Sequence, residues 1–196
     1  VILYLHGFRS SPTSFKARMV AGRLAELGRA DELVCPQLPA SPKAAMALAL
    51  ALIADMKLGD PARELAIVSS SLGGYYATWL AERIGCRAVL LNPAVRPLDS
   101  LEQHVGVTTA FHSDEPFEFK QEYIAELGEL AIGQITRPER YFLIAATGDE
   151  VLDYRTMVSH YAGTRQTIIE GSDHGISEFA DYVDDVLAFC LPEVAR

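Results

Sequence analysis

Three serines stand between an apolar run and two glycines in Ile67-Val68-Ser69-Ser70-Ser71-Leu72-Gly73-Gly74. The order strand, small-x-Ser-x-Gly, helix is the pattern of a nucleophile elbow. That strand-to-helix turn is so sharp that the residues two before and two after the serine must be small. Ser69 and Gly73 meet the demand, although Ser69 stands where glycine is usual, and Gly74 lets a helix pack closely on a sheet. Ser71 is therefore the candidate nucleophile. Ser69 and Ser70 read as structural, one as the small residue and one as a loop hydroxyl. Ser-rich turns also cap ordinary helices, so the motif needs partners before it means chemistry. Neither G-x-x-x-x-G-K-[ST] nor G-x-G-x-x-G occurs, so a phosphate-cradling loop is a poorer match.

A serine nucleophile needs a base and a group that orients the base, here in the chain order Ser, Asp or Glu, His. His174 sits in Glu170-Gly171-Ser172-Asp173-His174-Gly175, after the last strand-like run, where a base belongs. His6 precedes Ser71, the wrong order for a base, and His104, His112 and His160 read as surface or packing residues. The acid should follow the preceding strand, in Thr147-Gly148-Asp149-Glu150-Val151-Leu152-Asp153. Asp149 is the choice. Asp153 and Glu150 are the alternatives, and Asp153 also fits a helix N-cap. The developing oxyanion needs pre-aimed donors. One is the backbone N–H of Leu72. The second is expected from His6-Gly7-Phe8-Arg9, with Phe8 preferred and Arg9 the alternative; Gly7 is expected to supply a backbone shape that exposes these amides. Asn92 and Arg96, near the end of another strand, are candidate pocket residues with His6, Gly7 and Arg9. Arg96 could meet an anionic substrate group, but pairing with a local carboxylate is the preferred reading.

The elements that must position these residues are legible as alternating runs. Val1–Leu5, Leu33–Cys35, Glu64–Ser69, Ala88–Leu91, Tyr141–Ala146 and Gln166–Ile169 read as six strands. Helices are expected from Ser14 to Leu27, from Ser41-Pro42 to about Met56, over Leu72–Ile84, Asp153–Tyr161 and Ser177–Phe189. Apolar strands separated by helices imply a mainly parallel sheet covered on both faces, a three-layer α/β sandwich in one domain. Residues 98–138 break the rhythm and read as a helical insertion or lid. Its Phe111, Phe117 and Phe119 suggest apolar acyl groups, or simply pack the lid onto the sheet.

Composition narrows the partners. Lys and Arg number 17 and Asp and Glu 26, a formal charge of −9, so nucleic acid is a poor expectation. Cys35, Cys86 and Cys190 form no C-x-x-C pair and read as buried thiols, which fits a reducing cytoplasm. No signal-peptide pattern is visible, and the longest apolar run, Ala44–Ala54, is too short to span a bilayer. Val1 already lies in a strand-like run, so a start methionine and a few residues are expected before it.

Taken together, Tyr4-Leu5-His6-Gly7-Phe8, Ser70-Ser71-Leu72-Gly73-Gly74-Tyr75-Tyr76-Ala77-Thr78, Asn92-Pro93-Ala94-Val95-Arg96-Pro97, Thr147-Gly148-Asp149-Glu150-Val151-Leu152-Asp153-Tyr154 and Asp173-His174 resemble the YqiA esterase family of the α/β-hydrolase superfamily. The likeness covers nearly the whole chain. It implies a small bacterial serine hydrolase of carboxylic esters or thioesters, with Ser71, Asp149 and His174 as its triad by position and no metal or cofactor. Acyl transfer on the same triad, including to peroxide, and a non-catalytic small-molecule binder are the competing expectations.

Overall fold

The computed structural model describes residues 1–109 and 116–191. Its elements run β1 (Ile2–Leu5), α1 (Phe15–Glu26), β2 (Leu33–Val34), α2 (Pro42–Asp55), α3 (Pro61–Glu64), β3 (Ala66–Ser70), α4 (Leu72–Ile84), β4 (Arg87–Leu91), α5 (Leu98–Leu101), β5 (Gly106–Thr109), β6 (Pro116–Phe119), α6 (Glu122–Glu129), β7 (Tyr141–Ala146), α7 (Tyr154–His160), β8 (Arg165–Ile169) and α8 (Val183–Cys190). Six strands form one parallel sheet in the order β2-β1-β3-β4-β7-β8.

The strands are apolar throughout because both faces are covered. Alternate residues enter opposite cores. Leu3, Leu5, Ile67, Leu90, Tyr141 and Leu143 face α2 and α4 through Ala45, Met46, Leu72 and Leu80. Ile2, Tyr4, Val68, Val89, Phe142 and Ile144 face α1 and α8 through Val20, Leu24, Val186 and Leu187. Burying each such aliphatic side chain contributes about 2 kcal/mol before entropy is counted. Ser41 caps α2 by accepting from the Ala44 amide at 3.1 Å, with Pro42 in the first turn, as the sequence indicates.

Register decides where chemistry can occur. Leu5 pairs with Ser69, Ser70 with Leu91, Leu91 with Ile144, and Ala146 with Ile169. The loops leaving β1, β3, β4, β7 and β8 therefore open along one edge of the sheet. In open α/β sheets that edge, at the carboxyl ends of the strands, is where ligands bind.

Two expectations need correction. The 98–138 segment is only partly helical: β5 and β6 pair as an antiparallel hairpin between α5 and α6. Thr108 pairs with Phe117, and Phe119 is buried against Phe8 and Tyr123, so alternation hidden in a charged stretch builds a strand. The last helix begins at Val183, not Ser177. Ile176 adopts φ 53°, and a short 3-10 turn, Phe179–Asp181, follows and buries both Ile176 and Phe179. Ser177 is already committed to Asp173, whose carboxylate accepts from its amide at 3.0 Å and its hydroxyl at 2.6 Å. Phe111 and His112 lie outside the described residues. Among the described residues no helix is long and apolar enough to cross a membrane.

Candidate active site

Between the end of β3 and the start of α4, Ser71 takes φ 54° and ψ −123°, a conformation that L residues avoid and that costs about 1–3 kcal/mol. The surroundings hold it there. Its amide donates to the Leu91 carbonyl at 3.1 Å, and its own carbonyl accepts from Gly74 at 2.8 Å and Ala94 at 2.9 Å. The small residues on either side have separate reasons. Ser69 is fully buried in β3 and its hydroxyl donates to the Val89 carbonyl, so serine replaces glycine with its polar atom satisfied. Gly73 lies where α4 crosses β1: a Cβ there would stand 2.1 Å from the Leu5 carbonyl oxygen, while one at Gly74 would stand 2.4 Å from the Pro93 Cβ. Because the first clash is with backbone, Gly73→Ala is expected to destabilise the fold by about 3 kcal/mol. Urea denaturation with an unchanged slope and a lowered midpoint would show it.

Asp149 and His174 converge on Ser71 from two adjacent strand ends. His174 Nε2 lies 3.1 Å from Ser71 Oγ, and Nδ1 lies 2.8 Å from Asp149 Oδ2. With the proton on Nδ1, the imidazole donates to the carboxylate and accepts from the hydroxyl. The Asp149 side chain is fully buried, and its other oxygen accepts the amides of Val151 and Leu152, each at 2.8 Å. Those bonds fix the carboxylate plane before the imidazole arrives. The alternatives are occupied elsewhere. Asp153 caps α7 through the Arg155 amide and pairs with the Arg155 guanidinium. Glu150 accepts the backbone amide of His174 at 3.0 Å, so it holds the His174 backbone without touching the ring.

The first loop approaches Ser71 from the other side. Gly7 to Ser10 is a turn closed by Ser10 N–H donating to the Gly7 carbonyl at 3.2 Å, with Arg9 at φ 58°. The left-handed residue is therefore Arg9, not Gly7. Gly7 matters for a different reason: a Cβ there would lie 3.1 Å from the Ser71 Cβ, so glycine lets the loop come close to Ser71. Phe8 follows Gly7, and Leu72 opens α4, where the first amides have no partner one turn back. The Phe8 ring lies 5.1 Å, edge to face, from both Phe117 and Phe119, so the same residue anchors the hairpin. Arg9 ties the hairpin too, its Nε donating to the Thr109 carbonyl at 2.6 Å.

Ser71 and His174 open on a cleft of about 700 Å³ whose apolar wall includes Phe8, Phe15, Leu101, Val151 and Leu152. Of the candidate pocket residues, Gly7 and Arg9 line this cleft and His6, Asn92 and Arg96 do not. His6 is buried, and burial pushes its imidazole below the ordinary value, so the neutral ring accepts the Leu38 amide at 3.0 Å. Asn92, at φ 43° and fully buried, is a clamp. Its amide donates to the carbonyls of Asp173 and His174 at 3.0 and 3.1 Å, and its oxygen accepts from Ala146 at 2.8 Å. Arg96 is exposed beside the site. Phe117 and Phe119 pack the hairpin and stay out of this wall. Sequence reasoning missed Phe15, Leu152 and Lys16, because neighbours brought together by helix packing leave no local signature.

Solved structures share this architecture. Est1E from Butyrivibrio proteoclasticus, determined with ferulic acid bound, matches at TM-score 0.70 and 15% identity over 100% of this chain and 89% of its own. A metagenome-derived lipolytic enzyme matches at 0.69 and 16% identity, over 96% and 92%. The esterase domain of a Rhodothermus marinus protein matches at 0.66 and 15% identity, over 96% and 85%. At such identities the likeness is one of fold, that of the α/β hydrolases. Sequence carries the closer relationship: residues 1–191 match the uncharacterised protein family UPF0227. The chain belongs to that family, the YqiA-like group to which its motifs pointed.

Proposed function

We propose that the protein is a serine hydrolase that cleaves carboxylic esters, thioesters included, of small molecules. The observation that carries this reading is the unbroken line Ser71–His174–Asp149, at 3.1 and 2.8 Å, opening on the 700 Å³ cleft. His174 takes the Ser71 proton as Oγ attacks the acyl carbonyl. Asp149 keeps the imidazole in the productive tautomer and stabilises its charged form. The amides of Leu72 and Phe8 receive the oxyanion. The alcohol or thiol leaves with the proton from His174, and water, activated the same way, clears the acyl-enzyme. No step in this sequence calls on a metal or cofactor. The apolar wall of Phe15, Leu101, Val151 and Leu152 suits an apolar acyl or alcohol group. The proposed setting is the cytoplasm, supported by Cys35, Cys86 and Cys190 all standing as free thiols.

The test is labelling with a fluorophosphonate probe, mass mapping of the modified peptide, and assay on p-nitrophenyl esters of graded acyl length. Label on Ser71 with loss of ester cleavage is expected. A folded sample that neither takes the label nor cleaves any ester would point to a binding protein on this fold.

A further inference from the structure

The backbone of His174 is held by three side chains from distant parts of the chain. Asn92 and Glu150 are two of them. The third is Lys16, in the first turn of α1, whose Nζ donates to the Gly175 carbonyl at 2.7 Å and lies 3.4 Å from the His174 carbonyl. Lys16 is only 8% exposed and lines the cleft. Its hydrogen-bond partners among the described residues are these peptide carbonyls, not a carboxylate. For packing alone a methionine or leucine would serve the buried face of α1 without the cost of burying a charge.

We infer that Lys16 is a positioning residue for His174: its ammonium grips the carbonyls of His174 and Gly175, holds the imidazole at Ser71, and slackens when it gives up its proton. The inference rests on His174 being the base. Burial pushes the Lys16 ammonium down to about 8, against the opposing pull of Asp173 and Asp149. The other charged groups on the elements around it are engaged. Asp173 accepts from Ser177, Asp149 faces His174, Glu150 accepts the His174 amide, and Glu178 accepts the Ser172 hydroxyl. Arg9 and His104 share the cleft wall.

A positioning cation and a merely structural one differ in how activity and stability move with pH. The folded-state value of Lys16 lies below its ordinary 10.5, so between about 8 and 10.5 the unfolded chain binds more protons. In that window the burial penalty fades and stability gains, while the grip on His174 weakens and activity falls.

The experiment compares wild type with Lys16→Met, measuring kcat and KM for p-nitrophenyl butyrate, and the thermal midpoint, from about pH 6 to about pH 10. Wild-type kcat should fall on the alkaline side around pH 8. At pH 7 Lys16→Met should lose roughly 10- to 100-fold in kcat with KM within about threefold, as expected for a misplaced base, and should lack the alkaline fall. The wild-type midpoint should gain on the variant as the pH rises through the same window. Wild-type kcat in Lys16→Met, or an alkaline fall that persists in it, would overturn the inference. So would activity and stability declining together. If Lys16→Met does not fold, Lys16→Gln, which keeps a donor without the charge, is judged by the same absence of the alkaline fall. An inert Ser71→Ala with a fully active Lys16→Met would sink this inference alone, whereas an active Ser71→Ala would remove the triad on which it rests.

Discussion

Ser71→Ala is expected to leave a folded protein that no longer turns over esters. The expected loss in kcat/KM is about 10,000-fold or more, because removing the nucleophile disables base and acid together. The fold should not notice. Alanine meets the same backbone cost at φ 54° as serine does, and the Ser71 side chain makes no capping bond to α4. The thermal midpoint should therefore stay with that of the parent. Ser71→Gly makes a useful companion. It deletes the same hydroxyl but tolerates the strained conformation, so it should be equally inert and more stable by about 1 kcal/mol. Urea titrations beside initial rates separate the two effects. Turnover within tenfold of the parent in either variant would show that the hydroxyl of Ser71 carries no chemistry.

Asp149→Asn is the second large expectation, and its contrast with Asp153→Asn carries the information. Asparagine at 149 can keep accepting the amides of Val151 and Leu152, so the loop survives. It cannot accept from His174 Nδ1 if its amide group takes the place of Oδ2. The imidazole is then driven to the tautomer with the proton on Nε2, facing Ser71, and can no longer take the serine proton. A loss of roughly 1,000- to 10,000-fold in kcat is expected, with KM little changed. Asp153 faces solvent and Arg155, and asparagine caps helices about as well as aspartate, so Asp153→Asn should stay within about twofold of wild type. The reverse ranking in parallel assays would transfer the orienting role to Asp153.

How much of this could be read from the chain depended on distance. The elbow is a local object: Ser69, Ser71, Gly73 and Gly74 sit within six residues, and the crowding of Gly73 by Leu5 and of Gly74 by Pro93 leaves a mark in consecutive residues. The candidate order Ser71, Asp149, His174 was legible because each residue lies just beyond a strand, and strand ends are visible as apolar runs that stop. His6 and Asn92 were misplaced for one shared reason. Both stand at strand ends, where a pocket is expected, yet each turns back to satisfy backbone groups of a neighbouring segment, Leu38 for one and the His174 turn for the other. Nothing in the residues near them signals that turn. Lys16 was invisible on the same grounds: a lysine in a helix reads as a solvated charge until the partner carbonyls, more than 150 residues away, are known. The hairpin of β5 and β6 was hidden by composition, since only Phe119 of its strand residues is buried and Gly106 and Pro116 within its strands read as turn signals.

The strand order has a consequence for the way the chain comes into being. His174 follows Ser71 by 103 residues and sits on the loop after β8, an edge strand of the sheet. A chain emerging from the ribosome completes β1, β3 and β4 long before β8 is available, and its Ser71 turn waits without His174. Pairing β4 with β7, across residues 92–140, is also a late, non-local step, of the sort that slows folding. On the proposed triad, a nascent or prematurely ended chain is expected to carry a Ser71 that lacks its base and is chemically idle. On the proposed triad, the competence to hydrolyse esters is expected only once β8 has docked and brought His174 to Ser71.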